Sequence, residues 1–368
     1  MKIALLGFGT VGSHFYKLCE GRSDLQITAV LSRRPRPELT CTVTADYDEI
    51  VRDPSIDIVV EVMGGIEPAY SYLCAAMRAG KHIVTANKQL MCARFDALTA
   101  LSKEMGVALR CTAAAGGGIP WLTSLSRASQ LDEITAVEGI LNGTTNYMLS
   151  AMTNSGADYA AALQKAQELG YAEADPTADV EGLDARRKLV LSADLAFGVN
   201  IKEEDIPCVG ISSITAADIA RAKEDGLTYK LIARAEKSGS AVAAFVCPTL
   251  FPSSAPEAHT DGTGNLATLY AARFGRQSFS GAGAGGYPTG SSVLRDCLDI
   301  ADGCRSFYSD SFVPRPVHLS GAQSKWLFRC MGETFVRECS AREAFDAYDS
   351  YRKDDPHALL ARYAVEEE

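Results

Sequence analysis

The chain has 368 residues, of which 47% are hydrophobic and 22% charged, and its formal net charge is −10. This length exceeds the size at which a single hydrophobic core stops growing, so two domains are predicted. The acidic balance argues against a nucleic-acid-binding protein, and the lack of a long apolar run argues against a membrane span. Eleven cysteines without a C-x-x-C pair are typical of reduced thiols in a cytoplasmic protein.

The first predicted strand, Lys2–Leu6, runs into a glycine-rich turn, which is followed by a helix to about Cys19 and a second strand, Gln26–Leu31. This order is the context in which a G-x-G-x-x-G sequence binds a dinucleotide. The helix N-terminus offers free N–H groups and the positive end of its dipole to the phosphates. The residues expected to contact the cofactor here are Gly7, Phe8, Gly9, Thr10, Val11 and Gly12.

The end of the second strand indicates which cofactor is used. An acid at this position would bind the ribose 2′-hydroxyl of NAD, but the chain has Ser32, Arg33 and Arg34 instead. Guanidinium groups suit a 2′-phosphate, so Arg33 and Arg34 favour NADP, with NAD still possible. The alternative is that both arginines belong to a solvated turn.

Three further buried strands are predicted at 56–62, 81–85 and 108–112, with helices at 67–79 and 95–105 between them. Near-continuous apolar strands alternating with helices are typical of a parallel sheet. Residues 1–125 are therefore predicted to form an α/β Rossmann domain with a doubly wound parallel sheet. Ligands bind beyond the carboxyl ends of such strands, where Gly64, Lys88 and the glycines at 116–118 fall.

Residues 126–282 are predicted to form an α+β substrate-binding and dimerisation domain with a mostly antiparallel sheet. Long strands are expected at Glu133–Ile140 and 228–250, the latter with a hairpin turn near Gly239. Helices are expected at 158–169, 181–197 and 288–302. The glycine turn that contains Gly285 is expected to return the chain to the first domain over residues 283–303. Residues 304–368 form a short tail with a strand at 324–329 and a helix-like pattern from Cys330 onward.

The segment 173–188 places several carboxylates beside the start of a helix and ends with Asp184 and Lys188 at a spacing of i, i+4. That spacing puts the two side chains on one helix face. Alone, such a pair is more often a solvated surface ion pair. Combined with the dinucleotide turn and with Lys88, it suggests hydride transfer to a small charged molecule.

These motifs, taken in order along residues 1–303, closely resemble those of the homoserine dehydrogenase family. They comprise the turn at 7–12, Glu61-Val-Met-Gly-Gly-Ile-Glu-Pro, Val84-Thr-Ala-Asn-Lys88, Gly116-Gly-Gly-Ile-Pro120, Glu138-Gly-Ile-Leu-Asn-Gly-Thr-Thr-Asn-Tyr147, the block 169–188 and Gly283-Ala-Gly-Gly-Tyr-Pro-Thr289.

The resemblance implies reversible NAD(P)-dependent interconversion of L-homoserine and L-aspartate 4-semialdehyde, on the route to threonine, methionine and isoleucine. It matches Lys188 with the proton-transferring lysine and Lys88 with a lysine between cofactor and substrate. It matches Glu173, Asp179 and Asp184 with the acids that bind the substrate.

The resemblance also implies a sodium ion held by main-chain oxygens, and assembly into homodimers or homotetramers. The sodium loop corresponds to Thr112, Ala115, Gly117 and Ile119, although Thr112 replaces a usual glutamate and Ala115 a usual valine. Many relatives end in a regulatory ACT domain. Here the tail is expected to be a truncated, non-functional remnant of one, without threonine feedback.

The residues alone leave open which lysine moves the proton. A second nearby amine would lower a lysine pKa and a nearby aspartate would raise it, so the two effects oppose. Lys188 is preferred for transfer, and Lys88 for positioning and charge stabilisation. Two alternative functions are an aspartate semialdehyde or amino-acid dehydrogenase, and a catalytically inactive NADP-binding sensor. An aspartate semialdehyde dehydrogenase would need a nucleophilic cysteine with a nearby histidine, and none of the five histidines belongs to a glycine-rich cysteine motif. The sensor is disfavoured because both lysines and Asp184 are present.

Overall fold

A computed structural model describes residues 1–304 and 313–364. The strands in these ranges are β1 Lys2–Leu6, β2 Gln26–Leu31, β3 Thr42–Thr44, β4 Ile58–Glu61, β5 His82–Thr85, β6 Leu109–Arg110, β7 Ile134–Ile140, β8 Val199–Asn200, β9 Leu227–Ser238, β10 Ala241–Pro252, β11 Gly264–Ala271, β12 Gly275–Ala282, β13 Val313–Pro314, β14 Gln323–Cys330, β15 Glu333–Ser340 and β16 Leu359–Tyr363. The helices are α1 Thr10–Cys19, α2 Tyr47–Arg52, α3 Ala69–Arg78, α4 Lys88–Met105, α5 Trp121–Leu131, α6 Gly143–Ser155, α7 Tyr159–Glu168, α8 Thr177–Val180, α9 Leu183–Phe197, α10 Ala216–Glu224, α11 Gly286–Ala301 and α12 Ala341–Asp354.

The chain divides into two compact units. The first consists of Met1–Arg127 and the segment that begins at Ala282, and the second of Ala128–Gly281 and the C-terminal segment. The sequence-based boundaries at 125 and 283 lie within two residues of these limits.

The first unit is built on a six-stranded parallel sheet in the order β3-β2-β1-β4-β5-β6. The apolar residues of β1, β2 and β4 are buried against α1 and α11, as in Leu5 and Val60 with Phe15 and Val293. This confirms the predicted α/β Rossmann class. The helix predicted at 95–105 begins earlier, at Lys88, because the Asn87 side chain accepts from the Leu90 N–H and caps it. The predicted strand at 108–112 is shorter and keeps only Leu109–Arg110.

The second unit contains an eight-stranded sheet in the order β12-β11-β7-β9-β10-β16-β14-β15. Its described pairs are antiparallel except β10 with β16, which confirms the predicted mostly antiparallel sheet. The long strands β9 and β10 form a hairpin over their whole length, with its turn at Gly239 as predicted.

The C-terminal segment departs from the sequence-based prediction. The helix-like pattern expected from Cys330 onward is wrong, because Glu333–Ser340 is a strand paired with β14 along its length. Strand β16 then enters the sheet between β10 and β14. Helix α12 covers this part of the sheet, with Phe345 packed against Trp326 and Phe245. Residues 313–364 of the tail expected at 304–368 are therefore part of the second unit, whereas residues 305–312 and 365–368 lie outside the described ranges.

Candidate active site

The glycine turn after β1 has the backbone geometry that a bound dinucleotide requires. Gly7 has a φ of 101°, a conformation that favours glycine. Gly12 lies so close to the Gly7 carbonyl oxygen that a Cβ there would overlap it. Gly9 is the N-cap of α1 and provides no side-chain cap, so the first N–H groups of this helix are available to an anion.

The arginines after β2 differ in how they contact this turn. Arg33 and Arg34 are exposed. Arg36 lies over the turn itself, with its Nη2 3.3 Å from the Phe8 carbonyl oxygen and its guanidinium 5.1 Å from the Phe8 ring centre. Its buried Nε has no hydrogen-bond partner among the described residues. Sequence reasoning missed Arg36, although it belongs to the same short basic cluster.

A buried carboxylate organises the loop after β4 and the start of α4. Glu61 accepts from the N–H groups of Met63 and Gly64 at 2.7 and 3.1 Å, and from the Thr85 hydroxyl at 2.6 Å. Asn87 donates to the Gly65 carbonyl at 2.6 Å and caps α4, of which Lys88 is the first residue. Glu61 therefore fixes both Gly64 and the position from which half-buried Lys88 extends.

The loop predicted to hold sodium is closely packed within the first unit. The Gly117 carbonyl accepts from the Ser292 hydroxyl at 2.5 Å, and the Ile119 carbonyl accepts from the Trp121 N–H at 2.7 Å. Thr112 and Ala115 are buried beside them. Two of the four expected donor oxygens thus each accept one hydrogen bond, which leaves each carbonyl one further acceptor position.

Gly285 is the N-cap of α11 and has a φ of 122°. The next residue, Gly286, lies against the His14 ring so closely that a Cβ would overlap it. The His14 ring also packs edge-on against the Tyr287 ring, with 4.5 Å between the ring centres. The loop predicted to complete the cofactor site is therefore packed against α1, which starts at the glycine turn.

In the second unit, Lys188 and Asp184 form a largely buried ion pair on α9. The Lys188 Nζ lies 2.7 Å from Asp184 Oδ2 and donates to the Leu141 carbonyl oxygen at 2.6 Å. The side chains of Lys188 and Asp184 are only 9% and 11% exposed, so this is not the solvated surface pair that spacing alone would favour. A protonated lysine has three donors. Within the described residues, the contacts with Asp184 and the Leu141 carbonyl use two of them.

Asn142 joins this ion pair to a second carboxylate. Its Nδ2 donates to Asp184 Oδ2 at 2.9 Å and to Asp179 Oδ1 at 2.7 Å, while its Oδ1 caps α6 through the Thr145 N–H. The structure thus brings together Asp179, Asp184 and Lys188. It does not bring the Glu173 side chain into this cluster; Glu173 is exposed, and its carbonyl accepts from Gln167.

Sequence reasoning gave Asn142 no role. The available pattern was an asparagine between a strand and a helix, followed by Gly-Thr-Thr, which indicates a helix cap.

Burial raises the pKa of Asp179, and the Asn142 hydrogen bond opposes this only in part. A raised folded-state pKa adds stability below the unfolded value of about 3.9, and this stability is lost as pH rises through the folded pKa. Asp179→Asn should therefore raise the melting temperature of the ligand-free protein at pH 7, and the gain should vanish near pH 4. Scanning calorimetry at both pH values measures this.

Asp175 provides a matched control in the same segment. Hydrogen bonds from Thr177 lower its pKa, so Asp175→Asn should give no gain at pH 7. A lower melting temperature for Asp179→Asn at pH 7 would contradict the assignment.

Two kinds of feature are absent from the described residues, 1–304 and 313–364. No group of three or more His, Cys, Asp or Glu side chains is arranged to hold a metal ion. No described helix combines the length and apolar character needed to cross a membrane.

The parallel sheet with its glycine turn and the buried lysine–carboxylate cluster define the class of this chain as a nicotinamide-nucleotide-dependent oxidoreductase. Two family models match it, homoserine dehydrogenase over residues 120–298 and the homoserine dehydrogenase NAD-binding domain over residues 7–111. The chain belongs to the homoserine dehydrogenase family, whose reaction is the oxidation of a CH–OH group.

Individual proteins agree with this assignment. The homoserine dehydrogenase of Bacillus subtilis is 39% identical over 319 residues, which cover 83% of this chain and 74% of that protein. A crystal structure of a homoserine dehydrogenase from Thiobacillus denitrificans has a TM-score of 0.90 at 27% identity, covering 99% of this chain and 98% of the other. A hyperthermophilic archaeal homoserine dehydrogenase in complex with NADPH shares the fold, with a TM-score of 0.70 at 22% identity. The match covers 81% of this chain and 96% of that one.

Proposed function

We propose that this chain interconverts L-homoserine and L-aspartate 4-semialdehyde with NADP(H), and that Lys188 transfers the proton. The observation that carries the proposal is the geometry of the Lys188 Nζ, held between the Leu141 carbonyl and Asp184. An aldehyde oxygen gains negative charge as hydride arrives, and a positioned N–H stabilises that charge and supplies the proton. In the oxidative direction the same nitrogen takes the hydroxyl proton.

The acids beside Lys188 suit the ammonium group of homoserine. We propose that Asp179 binds this group by charge-assisted hydrogen bonds, and that Asp184 chiefly orients Lys188 while contributing negative charge. Glu173, whose exposed side chain lies outside the cluster, stays a prediction from the sequence. Asn142 holds the two aspartates at a fixed spacing by donating to both. In this proposal Asn142 holds together the partly buried carboxylates of Asp179 and Asp184, which would otherwise repel each other.

We propose that the glycine turn at 7–12, with Gly64 and Gly285, holds the cofactor. Bound NADP would accept the hydride from C4 of homoserine. The N-terminus of α1 faces the pyrophosphate in this proposal, and Lys88 serves positioning and charge stabilisation at the start of α4. A sodium ion at the loop of Thr112, Ala115, Gly117 and Ile119 stays a prediction from the family resemblance and is given no step in the reaction.

Preference for NADP is expected to depend chiefly on Arg36. Its guanidinium contacts Phe8 of the glycine turn, whereas Arg33 and Arg34 are exposed next to it. Arg36→Ala should raise the KM for NADP about tenfold or more, since it loses a hydrogen bond to a charged group, and should leave the KM for NAD nearly unchanged. Steady-state kinetics with both cofactors measure the ratio. A larger effect from the double variant Arg33→Ala/Arg34→Ala would assign the 2′-phosphate to the exposed pair instead.

The activity itself is tested by absorbance at 340 nm, with L-homoserine and either NADP or NAD added to the purified protein. Growth of the reduced-nicotinamide absorbance, faster with NADP, is the expected result. Faster reaction with NAD would keep the enzyme assignment and reject the cofactor preference. No reaction with either cofactor, in a protein that binds NADPH, would favour the sensor function.

Other parts of the proposal follow from the family. The reaction is proposed to belong to the synthesis of threonine, methionine and isoleucine, and the second unit to mediate homodimer or homotetramer formation. Eleven cysteines that form no disulfide support a reducing compartment such as the cytoplasm.

A further inference from the structure

The C-terminal strand contributes a buried charge to the second unit. Arg362 on β16 is 2% exposed, and its Nη2 lies 3.1 Å from Glu138 Oε2 on β7. Arg234 on β9 donates to the same oxygen at 2.8 Å, and the Tyr270 hydroxyl donates to Oε1 at 2.6 Å. Arg234 also pairs with Glu236 at 2.6 Å.

This cluster is balanced in charge only when Arg362 is present. It contains two carboxylates, Glu138 and Glu236, and two guanidinium groups, Arg234 and Arg362. Burial raises the pKa of Glu138, but the two arginines and Tyr270 lower it to about 2, so the carboxylate is ionised. A buried charge that loses one of its partners either takes up a proton or moves toward water.

Glu138 is close in sequence to the groups that hold the catalytic lysine. Strand β7 ends at Ile140, and the next two residues are Leu141, whose carbonyl accepts from Lys188, and Asn142, which joins Asp179 and Asp184. Glu138 therefore precedes Leu141 by only three residues and Asn142 by only four.

We propose that Arg362 is a positioning residue for the reaction, which acts through Glu138 and β7 on Leu141 and Asn142. The C-terminal segment is then a working part of the substrate site, in contrast to the non-functional remnant expected from the sequence. This inference rests on the proposed homoserine dehydrogenase activity, because it concerns the lysine of that reaction.

The test compares Arg362→Met with Leu360→Ala in the full chain. Leu360 is a buried residue of the same strand that packs in the aromatic core with Trp326, so its truncation weakens the segment without touching Glu138. Arg362→Met should lower kcat for homoserine oxidation by on the order of tenfold or more, as small displacements of catalytic groups do, and leave the KM for NADP unchanged. Leu360→Ala, assayed well below its melting temperature, should stay within about twofold of wild type.

Two further variants separate positioning from stability. Arg362→Lys keeps the charge and should recover most of kcat. The double variant Glu138→Gln/Arg362→Met removes both charges. Its kcat, as a fraction of wild type, should exceed the product of the fractions measured for Glu138→Gln and Arg362→Met alone. If Arg362→Met does not fold, Glu138→Gln replaces it as the test: it should lower kcat by a similar factor, and a kcat within about twofold of wild type would overturn the inference.

Equal losses of kcat in Arg362→Met and Leu360→Ala at matched losses of melting temperature would overturn the inference and leave Arg362 a structural role alone. Failure of the proposed function is distinguishable from this result, because the wild-type protein would then show no turnover of homoserine.

Discussion

Replacing Lys188 with Ala should lower kcat for homoserine oxidation by about a thousandfold, which is within the range for loss of a general acid–base group. The reason is that the Lys188 Nζ, held between the Leu141 carbonyl oxygen and Asp184 in a largely buried cluster, is the proposed proton donor, and the alanine variant removes it. Binding of NADPH should survive, since the cofactor-binding residues proposed at 7–12 belong to the first unit. Turnover and NADPH fluorescence titration measure the two effects separately.

The Lys188→Ala variant, compared with Lys88→Ala, also shows which of the two lysines transfers the proton. Small primary amines added to Lys188→Ala should restore part of kcat, because they enter the space left by the side chain and carry a proton there. Lys88→Ala should lower kcat without such rescue. The reverse pattern, with rescue only in Lys88→Ala, would exchange the two roles. Lys165→Ala, which removes an exposed lysine paired with Glu168, is the control and should behave as wild type.

A pair of glycine variants should separate cofactor binding from folding in the first unit. An alanine Cβ at Gly9 meets no atom within 4 Å, and Gly9 has a φ of −88°, so Gly9→Ala should leave the melting temperature nearly unchanged. It should nevertheless weaken NADPH binding tenfold or more, because the methyl group stands where the pyrophosphate approaches the backbone. Gly12→Ala overlaps the Gly7 carbonyl and should lose both binding and stability, the latter by about 1–3 kcal/mol.

The stability of both glycine variants is measured by thermal unfolding in the absence of cofactor. Their cofactor binding is measured by titration with NADPH. Ser13→Ala, one residue further along α1, is the control and should preserve both properties. If Gly9→Ala bound NADPH as tightly as wild type, the pyrophosphate would have to lie elsewhere than at this turn.

The parts of the site that the sequence predicted are those set by local spacing. Asp184 and Lys188 are four residues apart on one helix, and the helix period alone brings them together. Asn142 lies 42 residues from Asp184, so its bridging role depends on how β7 and α9 pack and has no local pattern. Arg36, unlike the exposed Arg33 and Arg34, contacts Phe8, and this contact becomes visible only once the turn is folded.

The error in the C-terminal segment has a specific physical cause. Strands β14 and β15 are joined at Met331 and Gly332, which have φ values of 52° and 82°. A two-residue hairpin turn with positive φ at both positions usually has the sequence Asn-Gly or Asp-Gly. Because Met331 occupies the first position here, the sequence does not indicate a hairpin turn. The residues Thr334, Phe335 and Val336 do favour a strand, and the helix of this segment begins only at Ala341.

Strand β16 occupies an interior position in its sheet although it comes from residues 359–363. Until these residues have left the ribosome, β10 and β14 each keep an edge whose backbone N–H and C=O groups lack a strand partner. The contact between Glu138 and Arg362 spans 224 residues, so closing this sheet orders a very long loop. We therefore expect the second unit to complete its folding late, and nascent chains that stall before residue 359 to be captured by chaperones and proteases.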